Sequence, residues 1–427
     1  MAPRQNGLWR HGNFLKLWIG QTISVFGSSI TGLAIPLTAA IALHATPAQM
    51  GILGAAGTAP FLLIGLFAGA WVDRMRRRPI LILSDIGRAL LLGIIPLAAL
   101  LGALRMEVLY VVEFLVGVMT VFFEVAYQSY LPNLVSREHL VEGNSKMEIS
   151  RSTAQIAGPG LAGLLIEYVT APIAIIVDAL SFLVSALSLG LIPDTEPAPT
   201  PKAQGSNIWS DIAEGLRLVL GNRMLRSIAA CTATTNLCMG MSGAVLVLFA
   251  TNTLKLSPAE QGLIFSLGAP GTLLGALIAA RTAKYLGLGQ TIIGAALLGG
   301  LGGLMVPLAG LLPEAGTAFL IASQLIIGAS FVIYNINQVS LRQAITPDRL
   351  LGRMNASIRF IVWGILPIGS LIGGALGETA GIFPTLVISS VGLLLSFLWV
   401  LFSPVRSLRE QPAPVEETPT EAAPAVG

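Results

Sequence analysis

Long apolar runs separated by short polar breaks recur twelve times along the chain, over residues 14–43, 48–72, 80–103, 108–131, 150–169, 172–192, 227–252, 259–280, 289–311, 315–341, 355–377 and 382–402. A hydrocarbon layer ~30 Å thick is crossed by ~20 helical residues, because each adds about 1.5 Å of rise. Inside lipid every backbone N–H and C=O must find its partner within the protein, so runs of this kind fold as helices. With 54% of its 427 residues hydrophobic and only 11% charged, the chain has too little polar surface to bury these runs in a water-soluble core. The expectation is an all-α membrane protein of twelve transmembrane helices. The first run follows Arg4, Arg10 and Lys16 but continues too far, without a small-residue cleavage site, to be a removable signal peptide.

Charge fixes the orientation. When the spans alternate, all of the 25 Lys and Arg residues except Arg105, Lys255 and the mid-span Arg88 fall on one side. The positive-inside rule places that side, and with it both termini, in the cytoplasm. The basic excess is therefore topological and implies no nucleic-acid partner. Cys231 and Cys238 lie seven apart on one span, where a straight helix holds them too far apart to bond, so both read as buried thiols. His11, His44 and His139 fall in breaks or termini, and no HExxH, Cys-rich or Walker pattern occurs. Nothing here suggests a metal, a cofactor or a catalytic residue, and active transport would have to draw on an ion gradient.

The stretch DTEPAPTPKAQGS, residues 194–206, divides six spans from six. The expected organisation is a first bundle at 1–193, a cytoplasmic linker at 194–225, a second bundle at 226–403 and a disordered tail at 404–427. Within the linker Ile208, Trp209, Ile212, Leu216, Val219 and Leu220 recur at helical spacing, as in an amphipathic helix lying on the inner membrane surface. The bundles also repeat. QSYLPNLVSREHLVEGNS from Gln128 parallels QVSLRQAITPDRLLGRMNAS from Gln338, and with one inserted residue Gly158 pairs with Gly369 and Gly163 with Gly374. A parallel six-helix repeat points to a transporter whose site lies between the halves near the bilayer midplane.

One cytoplasmic loop stands out. GAWVDRMRRRP, Gly69 to Pro79, gathers Arg74, Arg76, Arg77 and Arg78 around Asp73. An aspartate at the C-terminal end of a helix faces the negative end of the dipole and needs a positive partner. The loop resembles the G-x-x-x-D-R-x-G-R-R signature of the major facilitator superfamily, with Gly69, Asp73, Arg74, Arg77 and Arg78 matching and Arg76 standing where the family has glycine. The run FFEVAYQSYLPNLVSREHLVEGNS followed by AGPGLAG is similar to the branch that holds macrolide efflux proteins and enterobactin exporters. The resemblance implies two pseudo-symmetric six-helix bundles in a bacterial cytoplasmic membrane, working as a monomer. It also implies that the loop is a conformational latch: Asp73 engages the start of the eleventh helix, near Arg353 and Arg359, when the inner side is closed. AGPGLAG resembles the fifth-helix antiporter signature through Gly158, Pro159 and Gly163, which implies export in exchange for an ion. Pro159 removes a backbone hydrogen bond, and the glycines admit a neighbouring helix.

An ionisable group at mid-bilayer costs ~2.5–3.5 kcal/mol on insertion scales, so each needs a reason. Glu113 and Glu124 stand eleven residues apart on the fourth span, which puts them on one helix face roughly 16 Å apart, with Gly117, Thr120 and Gln128 near the same face. A buried carboxyl can take a proton from one side and release it to the other. These two are the proton-coupling candidates, Glu124 first. A proton moving inward through 100 mV contributes ~2.3 kcal/mol from voltage alone. The repeat places Tyr334 opposite Glu124 and Ser323 opposite Glu113, so the second half is neutral there. Gln128, Asn236, Tyr334, Asn335 and Gln338 are the substrate-cavity candidates. Asp85 with Arg88, and Asp178 with Ser181 and Ser185, lie on spans that are peripheral in the resembling fold and read as structural. The functional expectation is proton-coupled export of an amphipathic small molecule such as a macrolide. A siderophore or metabolite exporter is the alternative, ahead of an importer or an intramembrane hydrolase.

Overall fold

Caps and prolines set where several helices begin. Thr46 accepts from the amide of Gln49, whose side chain bonds back to the Thr46 N–H, and Ser257 does the same with Glu260; a proline, Pro47 or Pro258, takes the first helical position in each case. Asn222 caps the next helix by accepting from Met224 and Leu225. The computed structural model describes residues 8–72, 74–135, 137–193 and 208–412, and these are helical with no strand.

The first half comprises α1 (Gly12–Leu37), α2 (Pro47–Leu63), α3 (Gly65–Val72), α4 (Arg77–Leu100), α5 (Met106–Leu134), α6 (Leu140–Val169) and α7 (Ala171–Gly190). After α8 (Ile208–Gly221), the second half comprises α9 (Arg223–Leu248), α10 (Pro258–Ser266), α11 (Ala269–Leu286), α12 (Leu288–Leu311), α13 (Gly316–Ala344), α14 (Asp348–Thr379), α15 (Ile382–Leu395) and α16 (Leu398–Leu401). Among the described residues, ten helical segments are long and apolar enough to cross a membrane. The interrupted pair α2–α3 and the more polar α6 fall outside that test, and with them the arrangement agrees with twelve passes.

Within the first half α1 packs on α6 and α7, and α4 on α5 and α7; within the second, α12 packs on α13 and α15, and α9 on α14 and α15. The halves meet through α2 against α14 and α9, and through α6 against α10. The repeat extends to backbone detail at the end opposite the chain termini, the far end. There α1 and α9 finish in π turns, Thr38–Ala42 and Phe249–Thr253, and the following loops carry left-handed residues, His44 (φ 50°) and Lys255 (φ 56°).

Two expectations change. The segment from Pro404, expected to be disordered, begins with a 3₁₀ turn at Pro404–Ser407, and Leu408 and Arg409 accept hydrogen bonds from the amides of Gly289 and Leu288. A helix start leaves N–H groups without partners inside the helix, and here the tail's carbonyls satisfy two of them; residues 413–427 lie outside the described residues. The amphipathic helix after the linker exists, but α8 packs on α14 as well as facing outward. Val219 is buried in a cluster with Leu225, Met354 and Ile358, and a methyl group on Gly215 would lie 2.6 Å from the Arg353 carbonyl. The Pro-rich linker, residues 194–206, is outside the described residues. Cys231 and Cys238 are both buried free thiols.

Candidate functional site

The helical face of α5 carrying Glu113, Thr120, Glu124 and Tyr127 joins Gln21, Ser24 and Ser28 of α1, the first half of α6, and Asp178 and Phe182 of α7 around a cavity of about 1220 Å³. Apart from Leu273 on α11, the described lining comes from the first half. Exposed Asn144, Ser145 and Glu148 on α6 form its mouth at the terminal end. Towards the far end, contacts between the halves close it.

Two clusters of charge shape the wall. Asp85, fully buried, forms an ion pair with Arg88 one turn along α4, and the Arg88 guanidinium lies over Phe123 at 4.4 Å and Phe182 at 4.0 Å from the ring centres. Cation–π contact on both rings offsets part of the desolvation of that charge. Deeper, Asp178 is 1% exposed and accepts from Ser181 Oγ at 2.9 Å and Ser28 Oγ at 3.5 Å. The approach of α1 to α7 requires Gly27, since a methyl group there would lie 2.2 Å from Ser181 Oγ and 2.6 Å from Asp178 Oδ1. Glu113 packs beside α2, where a methyl group on Gly57 would sit 3.3 Å from its Oε2, and lines the same cavity as Asp178. Glu124 is nearer the mouth, 41% exposed, with Arg151 at 3.9 Å.

The other candidates are elsewhere. Gln128 is exposed on α5 outside the cavity lining. Asn236 donates to the Val362 carbonyl at 2.7 Å, joining α9 to α14; Tyr334 and Thr232 share a hydrogen bond at 2.8 Å; Asn335 accepts from Gln338 at 3.0 Å. Asn236 and Tyr334 tie α9 to α14 and α13, Asn335 and Gln338 bond to each other within α13, and none of the four lines this cavity. Sequence reasoning set Asp85, Arg88 and Asp178 aside as peripheral, yet Arg88 and Asp178 line the cavity. Their signal was present as ionisable groups at mid-span, which the cost of burial makes informative on any helix.

Of the latch, Asp73 lies outside the described residues. Gly69 is in α3 with open space around its α-carbon, Arg74 is exposed, and Arg77 opens α4. Arg78 donates to the carbonyls of Leu189 and Gly190 at 3.1 and 2.7 Å, capping the C-terminal end of α7. Arg353 pairs with Glu214 on α8, and Arg359 is exposed on α14. In the glycine motif, Gly158 faces Ser29 of α1, whereas Pro159 and Gly163 meet Gly262 of α10: a methyl group on Gly262 would lie 2.2 Å from the Pro159 carbonyl oxygen.

A family model described as a transmembrane secretion effector matches residues 7–424. The chain is 28% identical over 404 residues to the multidrug efflux pump Tap of Mycolicibacterium fortuitum, covering 92% of this chain and 96% of Tap. It is 21% identical to macrolide efflux protein A of Streptococcus pyogenes, over 86% of this chain and 90% of that protein. Against the enterobactin exporter EntS of Escherichia coli O127:H6 it is 25% identical, over 96% of both chains. Among solved structures, a bacterial homologue of the iron transporter ferroportin superposes with a TM-score of 0.73 in its inward-facing state and 0.58 in its outward-facing state, each at 16% identity; both alignments cover 91% of this chain and 98% of the other.

Proposed function

Because the chain belongs to the transmembrane secretion effector family of major facilitator transporters, we propose that it exports an amphipathic small molecule in exchange for protons, by alternating access around the first-half cavity. The observation that carries this reading is a single-ended cavity with Glu113 and Asp178 towards its closed end and Glu124 towards its mouth. With both termini on the cytoplasmic side of a bacterial inner membrane, as the charge distribution favours, the cavity opens to the cytoplasm and loads substrate there.

The lining carboxylates, Glu113, Glu124, Glu148 and Asp178, outnumber the lining cations Arg88 and Arg151, and Asp85 already holds Arg88. Such a cavity suits a neutral or cationic amphipath, the chemistry of an amine-bearing macrolide, better than a catecholate anion. Export of a siderophore, the second reading, draws support from the enterobactin exporter among the relatives. A proton and a cationic substrate can compete for the carboxylates that line one cavity. Glu113, deep and near Asp178, suits this exchange better than the half-solvated Glu124. The latch fits the same cycle: Asp73 would engage the start of α14, near Arg353 and Arg359, when the terminal end is closed.

The test is accumulation of macrolides, cationic dyes and catecholate siderophores in an efflux-deficient bacterial host expressing the protein, its Glu113→Gln variant or its Glu124→Gln variant at matched levels. The proposal expects lowered accumulation of one cationic or neutral class, abolished by Glu113→Gln and by a proton uncoupler. Export that survives both would remove the proton-coupled reading.

A further inference from the structure

The far end is closed by two copies of one device. Thr46-Pro47-Ala48-Gln49 and Ser257-Pro258-Ala259-Glu260 occupy equivalent positions in the repeat, at the same offset that carries Gly163 to Gly374. Each forms a capping box, which uses the amides of the cap and of the third helical residue. The amide of the second helical residue remains, and in both copies a carboxylate from the opposite half takes it. Ala48 N–H donates to Glu378 Oε2 at 3.1 Å, from α2 to α14, and Ala259 N–H donates to Glu167 Oε2 at 3.0 Å, from α10 to α6. Glu167 and Glu378 are themselves related by that offset.

Glycines bring the carboxylates within reach. One turn before Glu378 is Gly374 and one turn before Glu167 is Gly163, each in near-backbone contact with the glycine one turn beyond the capped amide. A methyl group on Gly374 would lie 2.7 Å from the Gly51 α-carbon, and one on Gly262 would lie 2.9 Å from the Gly163 α-carbon. A carboxylate on a helix N-terminus gains both a charge-assisted hydrogen bond and the positive end of the helix dipole. Because every such bond joins one half to the other, it exists only while the far end is shut.

We infer that Glu167 and Glu378 are paired positioning residues of the transport cycle, a duplicated clasp that holds the far end closed and must release on both sides for it to open. The inference rests on alternating access and not on the substrate or the coupling ion. Each carboxylate is exposed, so screening keeps the effect moderate, about two- to fivefold in the open-to-closed ratio per clasp. The two contacts lie on different helix pairs, so their factors multiply.

The full-length protein, in lipid nanodiscs without substrate, carries spin labels at Leu101 and Glu314, one on a far-end loop of each half, and electron-electron resonance reports their separation. Glu167→Ala and Glu378→Ala should each raise the long-distance population, the double variant should raise it by about the product, and the Gln variants, which keep an acceptor for the amide, should fall between. Should the double Ala variant not fold, the double Gln variant carries the comparison. An unchanged distance distribution overturns the inference, as does a shift from one glutamate alone. Because no transport is measured, failure here leaves the export reading standing, and failure of export leaves the clasp standing.

Discussion

Closure of the far end depends on backbone meeting backbone, which makes Gly262→Ala a severe test of how the cavity is shut. The added methyl would lie 2.2 Å from the Pro159 carbonyl oxygen and 2.9 Å from the Gly163 α-carbon. Ordinary contacts begin near 3.4 Å, so α10 and α6 would have to part by about an ångström, and backbone atoms have no rotamer with which to yield. Overpacking of this kind costs ~1–3 kcal/mol, and here the cost falls only on the closed far end, because opening separates the two helices. At 1.4 kcal/mol per factor of ten, the open population should rise about fivefold to more than a hundredfold. The assay places a single cysteine at Val116, which lines the cavity, in a background with Cys231 and Cys238 replaced, and labels it with an impermeant maleimide from each side of the membrane. The parent should label from the terminal side, and Gly262→Ala should label from the far side at a rate raised in proportion to the open population. A folded variant with an unchanged labelling pattern would refute the claim that this glycine contact sets the equilibrium.

Further expectations follow from the cavity wall. Arg88→Met leaves the fully buried Asp85 without its partner and should lower stability by ~3–5 kcal/mol, read as a fall in the thermal unfolding midpoint in detergent; adding Asp85→Asn should recover part of it. Gly27→Ala forces its methyl into Ser181 and Asp178 and should cost ~1–3 kcal/mol by the same measurement. Glu214→Gln should weaken the tie that Arg353 makes between α8 and α14 and raise the outward-open population in spin-label distances across the terminal end; no shift would count against a role for that tie in keeping the terminal end open.

The all-helical membrane fold was legible because twenty-residue apolar runs have one stable use in lipid, and the repeat was legible because Gly158 and Gly163 recur as Gly369 and Gly374. The α5 face was legible for the same periodic reason, and Glu113 and Glu124 do line one cavity. What the pattern could not deliver was how the helices turn toward one another. Arg88 and Asp178 were set aside on position in the fold, although the distance from a helix to the centre does not limit how far a long side chain such as Arg88 reaches. Tyr334, Asn236 and Gln338 read as cavity groups because they are polar and intramembrane, yet Tyr334 and Asn236 find their partners on neighbouring helices and Gln338 bonds to Asn335 on its own helix. Polarity in a span signals only that a partner exists, and geometry decides whether that partner is the protein or a ligand.

The repeat holds for the scaffold and fails for the charges. Carried across at the repeat's offset, Pro96 falls on Pro307, Thr46 on Ser257, Gly51 on Gly262, Glu167 on Glu378, and left-handed Thr170 on left-handed Gly381, so the devices that end helices and join the halves are duplicated. By the same route Asp85 and Arg88 fall on Ala296 and Gly299, and Asp178 on Ser389, while one position earlier Glu113 and Glu124 fall on Ser323 and Tyr334. Each of these five groups is neutral in its second-half counterpart, whereas Glu148 at the mouth falls on Arg359. Two halves that rock against each other need matched contacts at the far end, because a closure firm on one side and weak on the other would hinge about the firm side and leave the cavity partly sealed. They have no corresponding need for matched charge. Each intramembrane ion adds an insertion and desolvation cost of its own, and one cluster suffices to hold a proton or a cation while the neutral half moves across it.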